Sequence, residues 1–248
     1  MTNSLSEEQN QTTQPYYGDL EKTQKIYQLV QTPNSERDDN WNSEFLSNIV
    51  AASFKCGEPQ VITGPDGFPY FQLFLPEPNV SFQCFVIEKM KDDFLLEYGY
   101  GVVINPTAEE PDWVLSYGDI VNLHLNNTFY SNEPTLFSKR KKTETITKSE
   151  QVLIGQPSET LLPIKTRKVL ESFLKYNGIE SPKVLLLMRQ NEKKEIISQD
   201  LAFNITPNDF ESEAIYQNVM LAFAWFLPRH YSCIGLSEAN FSDVFQPL

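Results

Sequence analysis

The sequence predicts an α+β fold made of two α/β layers with mixed or antiparallel sheets. Three observations carry this expectation. Apolar residues recur at helical spacing in some segments and form short β-branched or aromatic runs in others. Clusters of Gly, Pro, Asn and Asp separate those segments. The second half reads β-α-β-β-α-β, the split arrangement that lays helices on one face of an antiparallel sheet.

Residues 1–16 are rich in Ser, Gln, Asn and Thr and are expected to form a disordered tail. A helix follows from Asp19 to Gln31, with Leu20, Ile26, Leu29 and Val30 on one face, broken at Thr32-Pro33-Asn34-Ser35. A second helix is expected from about Trp41 to Lys55, on the spacing of Phe45, Leu46, Ile49, Val50 and Ala52. Strands at Gln60–Thr63 and Tyr70–Leu75 flank the turn Gly64-Pro65-Asp66-Gly67. Ser81 is positioned to cap a helix from Phe82 to Tyr98. Gly101–Ile104 reads as a strand, and Trp113–Leu125 as a strand interrupted by a bulge or tight turn at Tyr117-Gly118-Asp119.

Residues 126–149, polar and carrying Lys139-Arg140-Lys141-Lys142, read as a linker between a domain at 17–125 and one at 150–248. In the second domain Val152–Ile154 is a strand. A helix runs to about Asn177, with Ser158 as its cap and Pro163 near its regular start, and Gly178 ends it. Lys183–Gln190 and Glu195–Ile205 are strands. Asn208 with Glu211 has the capping-box pattern for a helix ending at Phe226, and His230–Leu236 is the last strand. Both halves contain the order α-β-β-α-β, which raises an ancient duplication as an expectation.

Composition narrows the function classes. Net charge is −13, and it is uneven: residues 1–138 carry 20 acids and 6 basic residues, residues 139–248 carry 13 and 14. Such a first half repels a phosphate backbone, which disfavours nucleic-acid binding, and attracts basic protein partners. Met1–Gln14 holds no apolar leader, and the longest apolar run, Val219–Leu227, is too short to cross a bilayer. Cys56, Cys84 and Cys233 are scattered. With the missing leader they predict a reducing, cytoplasmic setting and no membrane contact.

Reactive residues are sparse. His124 and His230 lie in different halves with no cysteine at zinc-ligand spacing, so no metal is expected. There is no G-x-S-x-G, P-loop or G-x-G-x-x-G, and Gly99-Tyr100-Gly101 precedes a strand where a dinucleotide site would follow one. No cofactor is therefore expected. Asp92-Asp93 and Glu109-Glu110 are neighbours in sequence that point apart, and read as solvated surface. An enzyme reading would need Asp119, Ser158 and His230 to converge.

Three features invite a functional reading beside a structural one. Gly155-Gln156-Pro157-Ser158 joins a strand to a helix start, and Gly155 and Ser158 are candidates for an anion-binding turn or a plain cap. The Lys139–Lys142 cluster suits an acidic surface or a solvated linker. The helix end around Trp225 and Phe226 is apolar nearly all round, so it is either sandwiched inside the fold or forms, with Tyr117 and Asp119, a surface for a partner or a second copy.

Val152-Leu153-Ile154-Gly155-Gln156-Pro157-Ser158-Glu159, the β-α-β-β-α-β order and the closing Phe245-Gln246-Pro247-Leu248 resemble the SseB-like (enhanced serine sensitivity) family. Asp66-Gly67 before Leu73-Phe74, and Gly101–Pro106, are similar to its N-terminal turn and strand. The resemblance covers roughly residues 41–248; Tyr117-Gly118-Asp119 and Trp225-Phe226-Leu227-Pro228 are outside it. It implies a cytoplasmic bacterial α+β protein with no catalytic residues to carry over. The expected function is a non-catalytic interaction or regulatory protein, with a secretion chaperone or immunity-type inhibitor as the alternative. Its partner is expected to be a protein, of basic character, with a homodimer also open.

Overall fold

The computed structural model describes residues 17–106, 110–131, 135–137, 151–241 and 244–248. The first half begins with α1 (Leu20–Leu29), whose free N–H groups are met by the Asp19 side chain at Lys22 N (3.1 Å). Asp38 does the same for α2 (Asp39–Ile49), accepting from Trp41 N at 2.8 Å. Four strands then form one sheet in the order β1 (Lys55–Thr63), β2 (Pro69–Phe74), β3 (Gly101–Ile104), β4 (Trp113–Leu115). Between β2 and β3 the chain makes α3 (Ile87–Met90), a π-helical turn at Lys91–Leu95, and α4 (Leu96–Tyr98). Gly99, with φ of 72°, closes this run.

Three expectations for this half need correction. The second helix stops at Ile49, and the Phe82–Tyr98 helix starts five residues late with no Ser81 cap. One cause serves both: Phe54 and Phe85 exchange backbone hydrogen bonds (2.9 and 2.8 Å), which holds the chain extended on either side of the pair. The strand expected over Trp113–Leu125 ends at Leu115, and α5 (Tyr117–Asn126) follows. A capping box starts it: Asp119 N donates to Ser116 Oγ (3.1 Å), and Ser116 N donates to Asp119 Oδ2 (2.9 Å).

The second half follows the expected order: β5 (Gln151–Gly155), α6 (Ile164–Tyr176), β6 (Lys183–Gln190), β7 (Ile196–Phe203), α7 (Glu213–Phe226), β8 (Cys233–Gly235). A short β9 (Gln246–Pro247) pairs with β6. The sheet is mixed, because β7 and β8 run parallel. In the first sheet β2 and β3 are likewise parallel and joined through helix. Each half therefore contains an antiparallel hairpin, a helical crossover and a parallel return strand.

The predicted caps of this half are not formed. α6 begins at Ile164, after Pro163, and Ser158 does not cap it. Asn208 does not cap α7. Thr206 and Asp209 close a 3-10 turn instead, and Ser212 caps the helix by accepting from Ile215 N (3.3 Å).

The halves share one apolar core, in which Leu96, Tyr117 and Ile120 pack with Leu170, Phe223 and Phe226. The predicted linker is also partly drawn in. Phe129 and Phe137 are buried, and Gln199 N on β7 donates to Leu136 O at 2.6 Å. Lys139–Lys142 lie outside the described residues. Among those residues no helix is long and apolar enough to cross a membrane.

Candidate functional site

Two segments that stood apart from the rest of the sequence pattern meet in space. Tyr117-Gly118-Asp119, the first turn of α5, docks against Trp225–Arg229 at the end of α7. The Tyr117 ring lies 6.1 Å from Trp225 and 6.3 Å from Phe226, and its hydroxyl donates to Leu96 O at 3.0 Å. Gly118 lies directly against the Leu227 backbone. Trp225 Nε1 donates to the Tyr70 hydroxyl (2.7 Å). Burial pushes the Tyr70 hydroxyl above its usual pKa, with Asp66 adding to the effect.

These residues are therefore not the exposed partner surface considered from the sequence. Tyr117 and Asp119 are fully buried, and Trp225 and Phe226 keep only 8 and 6% of their surface exposed. The alternative holds, a helix end sandwiched between sheet and neighbouring half. An apolar helix end gains more by packing on both sides than by facing water.

Asp119 does carry an electrostatic arrangement. Arg229 Nε and Nη2 donate to its two carboxylate oxygens (2.8 and 2.9 Å). Nη2 also donates to the Tyr130 hydroxyl (3.0 Å), and the guanidinium carbon sits 4.1 Å from the centre of the Tyr130 ring. Trp113 Nε1 donates to the same hydroxyl at 3.1 Å. Burial and then the Asp119 charge push the Tyr130 hydroxyl up to about 12, so it stays a neutral donor and acceptor. Burial alone would lower the Arg229 pKa, but its hydrogen bonds to Asp119 raise it, and the cation is secure. The carboxylate, the ring and the guanidinium hold one another in place, while 59% of the Arg229 side chain faces solvent.

What Arg229 faces is a cleft of about 910 Å³ between α2 and the Asn127–Tyr130 turn. Leu46, Val50 and Trp113 give it an apolar floor; Asn42, Ser43, Ser47, Asn127 and Thr128 give amide and hydroxyl walls. Lys22, Asp39 and Arg229 bring charged groups to its lining. Such a mixture of a ring surface with a few oriented polar groups is what a binding cleft requires. Arg229 was not singled out from the sequence. The available signal was that no other Lys or Arg follows Lys194 in the sequence, and that it stands just beyond an apolar helix.

The other sequence candidates stay apart. Ser158 Oγ pairs with Thr160 Oγ1 (2.9 Å), and the N-terminus of α6 takes the Glu159 carboxylate, which accepts from Ile164 N at 3.1 Å. The helix start therefore lies beyond Gly155 and Ser158, and the chain's own Glu159 occupies it. His124 Nδ1 lies 2.8 Å from Asp92 Oδ1 on the far side of α5. His230 packs edge-on against Phe137, ring centres 6.0 Å apart. No hydrogen bond joins Asp119, Ser158 and His230 to one another. Among the described residues no three His, Cys, Asp or Glu side chains converge on a metal position.

Burial lowers the His230 pKa from its usual value, because the cation is poorly solvated beside Phe137 and Tyr231. The sign follows directly. The unfolded chain takes up a proton at higher pH than the folded one, so stability falls as pH drops through 6.5 and below. Urea unfolding at stepped pH should show this loss, and His230→Gln should flatten the slope in that window. An unchanged slope in the variant would assign the dependence elsewhere.

The fold and the site define an α+β protein of two mixed sheets, with a polar and aromatic cleft on its first half to which the second half contributes Arg229. In comparisons with known proteins, no family model, no curated protein and no solved structure matches the chain.

Proposed function

We propose that this chain is a non-catalytic, cytoplasmic interaction or regulatory protein, and that it holds an extended segment of a protein partner in the cleft at Arg229. The observation that carries this reading is the fixed guanidinium. Buried Asp119 and the Tyr130 ring orient it, and Nη1 is left without a hydrogen bond to the described residues, at the edge of an aromatic floor. A group held this way loses little freedom when it binds a carbonyl or carboxylate oxygen. The amide and hydroxyl walls suit a peptide backbone, and the acidic first half draws in a segment with basic flanks.

Selection from a random peptide library tests this. Enriched peptides should be basic, should shift the NMR signals of the Trp113 indole and the Asn42 and Asn127 amides, and should bind more weakly at high salt. Ser47→Trp fills the cleft from an exposed helix position and should weaken binding roughly tenfold or more, the scale of losing a central contact. Peptides that bind this variant as well as the native chain would sink the proposal, as would a library that yields no binder.

A further inference from the structure

The two sheets treat their outer strands differently. β1, an edge of the first sheet, is protected against pairing with another chain. It contains Pro59, charged Lys55 and Glu58, and a register shift between Cys56 and Val61. β4 and β8, two other edges, are three residues long. β5 has none of these safeguards. Gln151–Gly155 contains no charge and no proline, and it pairs with β6 in unbroken register from Gln151↔Gln190 to Gly155↔Leu186. No described residue pairs with its other side.

The apolar side chains of β5 are equally unprotected. Val152, Leu153 and Ile154 are consecutive, and they expose 38, 38 and 37% of their surface. Neighbours on a strand point to opposite faces, so this apolar run is open on both. Leu153 shares a face with Met188, and Val152 and Ile154 share the other with Arg189 and Leu187.

We infer that a second copy of this chain pairs with β5, the two strands running antiparallel about a two-fold axis at Leu153. Charge selects this occupant and this edge. Residues 1–138 hold 20 acids against 6 basic residues, so copies that approach through the first half repel. Residues 139–248 are nearly neutral, with 13 acids and 14 basic residues, and β5 itself is uncharged. The strand is also self-complementary. In the symmetric register Leu153 faces Leu153, and each Val152 faces the other copy's Ile154, giving a closed isologous contact. Pairing supplies partners for the outer backbone groups of β5 and covers its apolar side chains. It joins two five-stranded sheets into one.

Five residues of strand bury less than the roughly 1,600 Å² of a standard interface, so the dimer is weak, with Kd on the order of 10–100 μM. Sedimentation equilibrium of the full chain from about 5 to about 500 μM spans that range on either side. The native chain should pass from monomer to dimer. Leu153→Lys should remain monomeric, since it sets two like charges face to face, with unchanged circular dichroism and thermal midpoint because the position is open to solvent. Leu153→Cys should form an inter-chain disulfide on mild oxidation, as the two thiols meet on the axis, whereas the native chain should not. A native chain that stays monomeric throughout overturns the inference; so does a dimer that survives Leu153→Lys, or a Leu153→Cys chain that fails to cross-link. These outcomes do not depend on whether the cleft at Arg229 binds a peptide.

Discussion

Gly118→Ala is expected to destabilise this protein more than any other loss or gain of a single methyl group. An added Cβ would lie 2.1 Å from Leu227 O and 2.5 Å from its carbonyl carbon. Those atoms belong to backbone and cannot swing aside, so α5 must move away from the end of α7. The movement breaks the Tyr117 packing against Trp225 and Phe226 and lengthens the Asp119–Arg229 pair. Overpacking alone costs about 1–3 kcal/mol, and the lost contacts place the total at the upper end or beyond. For a chain of this size, about 3 kcal/mol lowers the midpoint by about 10 °C. The halves share one core, so thermal unfolding followed by circular dichroism should show one transition, displaced as a whole. A variant that melts with the native chain would mean the two segments do not approach as closely as described.

Arg229→Ala should be the second most damaging change. It leaves the Asp119 carboxylate, which has no exposed surface, with Ser116 N–H and Asp119's place in the capping box but no counter-ion. Removing one member of a buried pair costs about 3–5 kcal/mol. Arg229 is more than half open to solvent, so water offsets part of this, and about 2–3 kcal/mol is expected. Asp119→Asn should cost less, about 1 kcal/mol, because the released guanidinium remains hydrated and the side-chain oxygen can still cap α5. Urea unfolding of both variants and of the double variant measures the coupling. If Arg229→Ala lay within about 0.5 kcal/mol of the native chain, the pair would be behaving as an ordinary surface contact.

Local rules were sufficient where neighbours in sequence are also the deciding neighbours in space. Asp19 before Leu20, Gly178 after Tyr176 and the apolar run Val184–Met188 all act within a few residues, and each element formed as expected. Elsewhere a distant partner overrules the local preference. Phe82–Val86 has an apolar pattern suited to a helix, yet Phe54 holds it extended through two backbone hydrogen bonds. Ile120-Val121 favours a strand by side-chain shape, but Ser116 and Asp119 satisfy the first turn of a helix, a local signal that outweighs it.

The candidate site was harder to read. Each of its residues has an unremarkable setting in the sequence. Trp113 follows a turn, Asn127 ends a helix, and Arg229 follows a proline. Their chemistry comes from convergence: the Arg229 guanidinium becomes a fixed donor only because Asp119, 110 positions earlier, is buried beneath it.

The amino-acid order by itself determined the α+β class, the β-α-β-β-α-β course of the second half and the unequal charge of the two halves, because periodicity, caps and charge are properties of short windows. Three-dimensional packing alone brought Tyr117-Gly118-Asp119 and Trp225–Arg229 into one seam, turned Trp225 and Phe226 inward, and left the outer side of β5 unpaired by any described residue. Those outcomes depend on which surfaces cover one another, and burial is settled by the whole chain collapsing at once rather than by any segment alone.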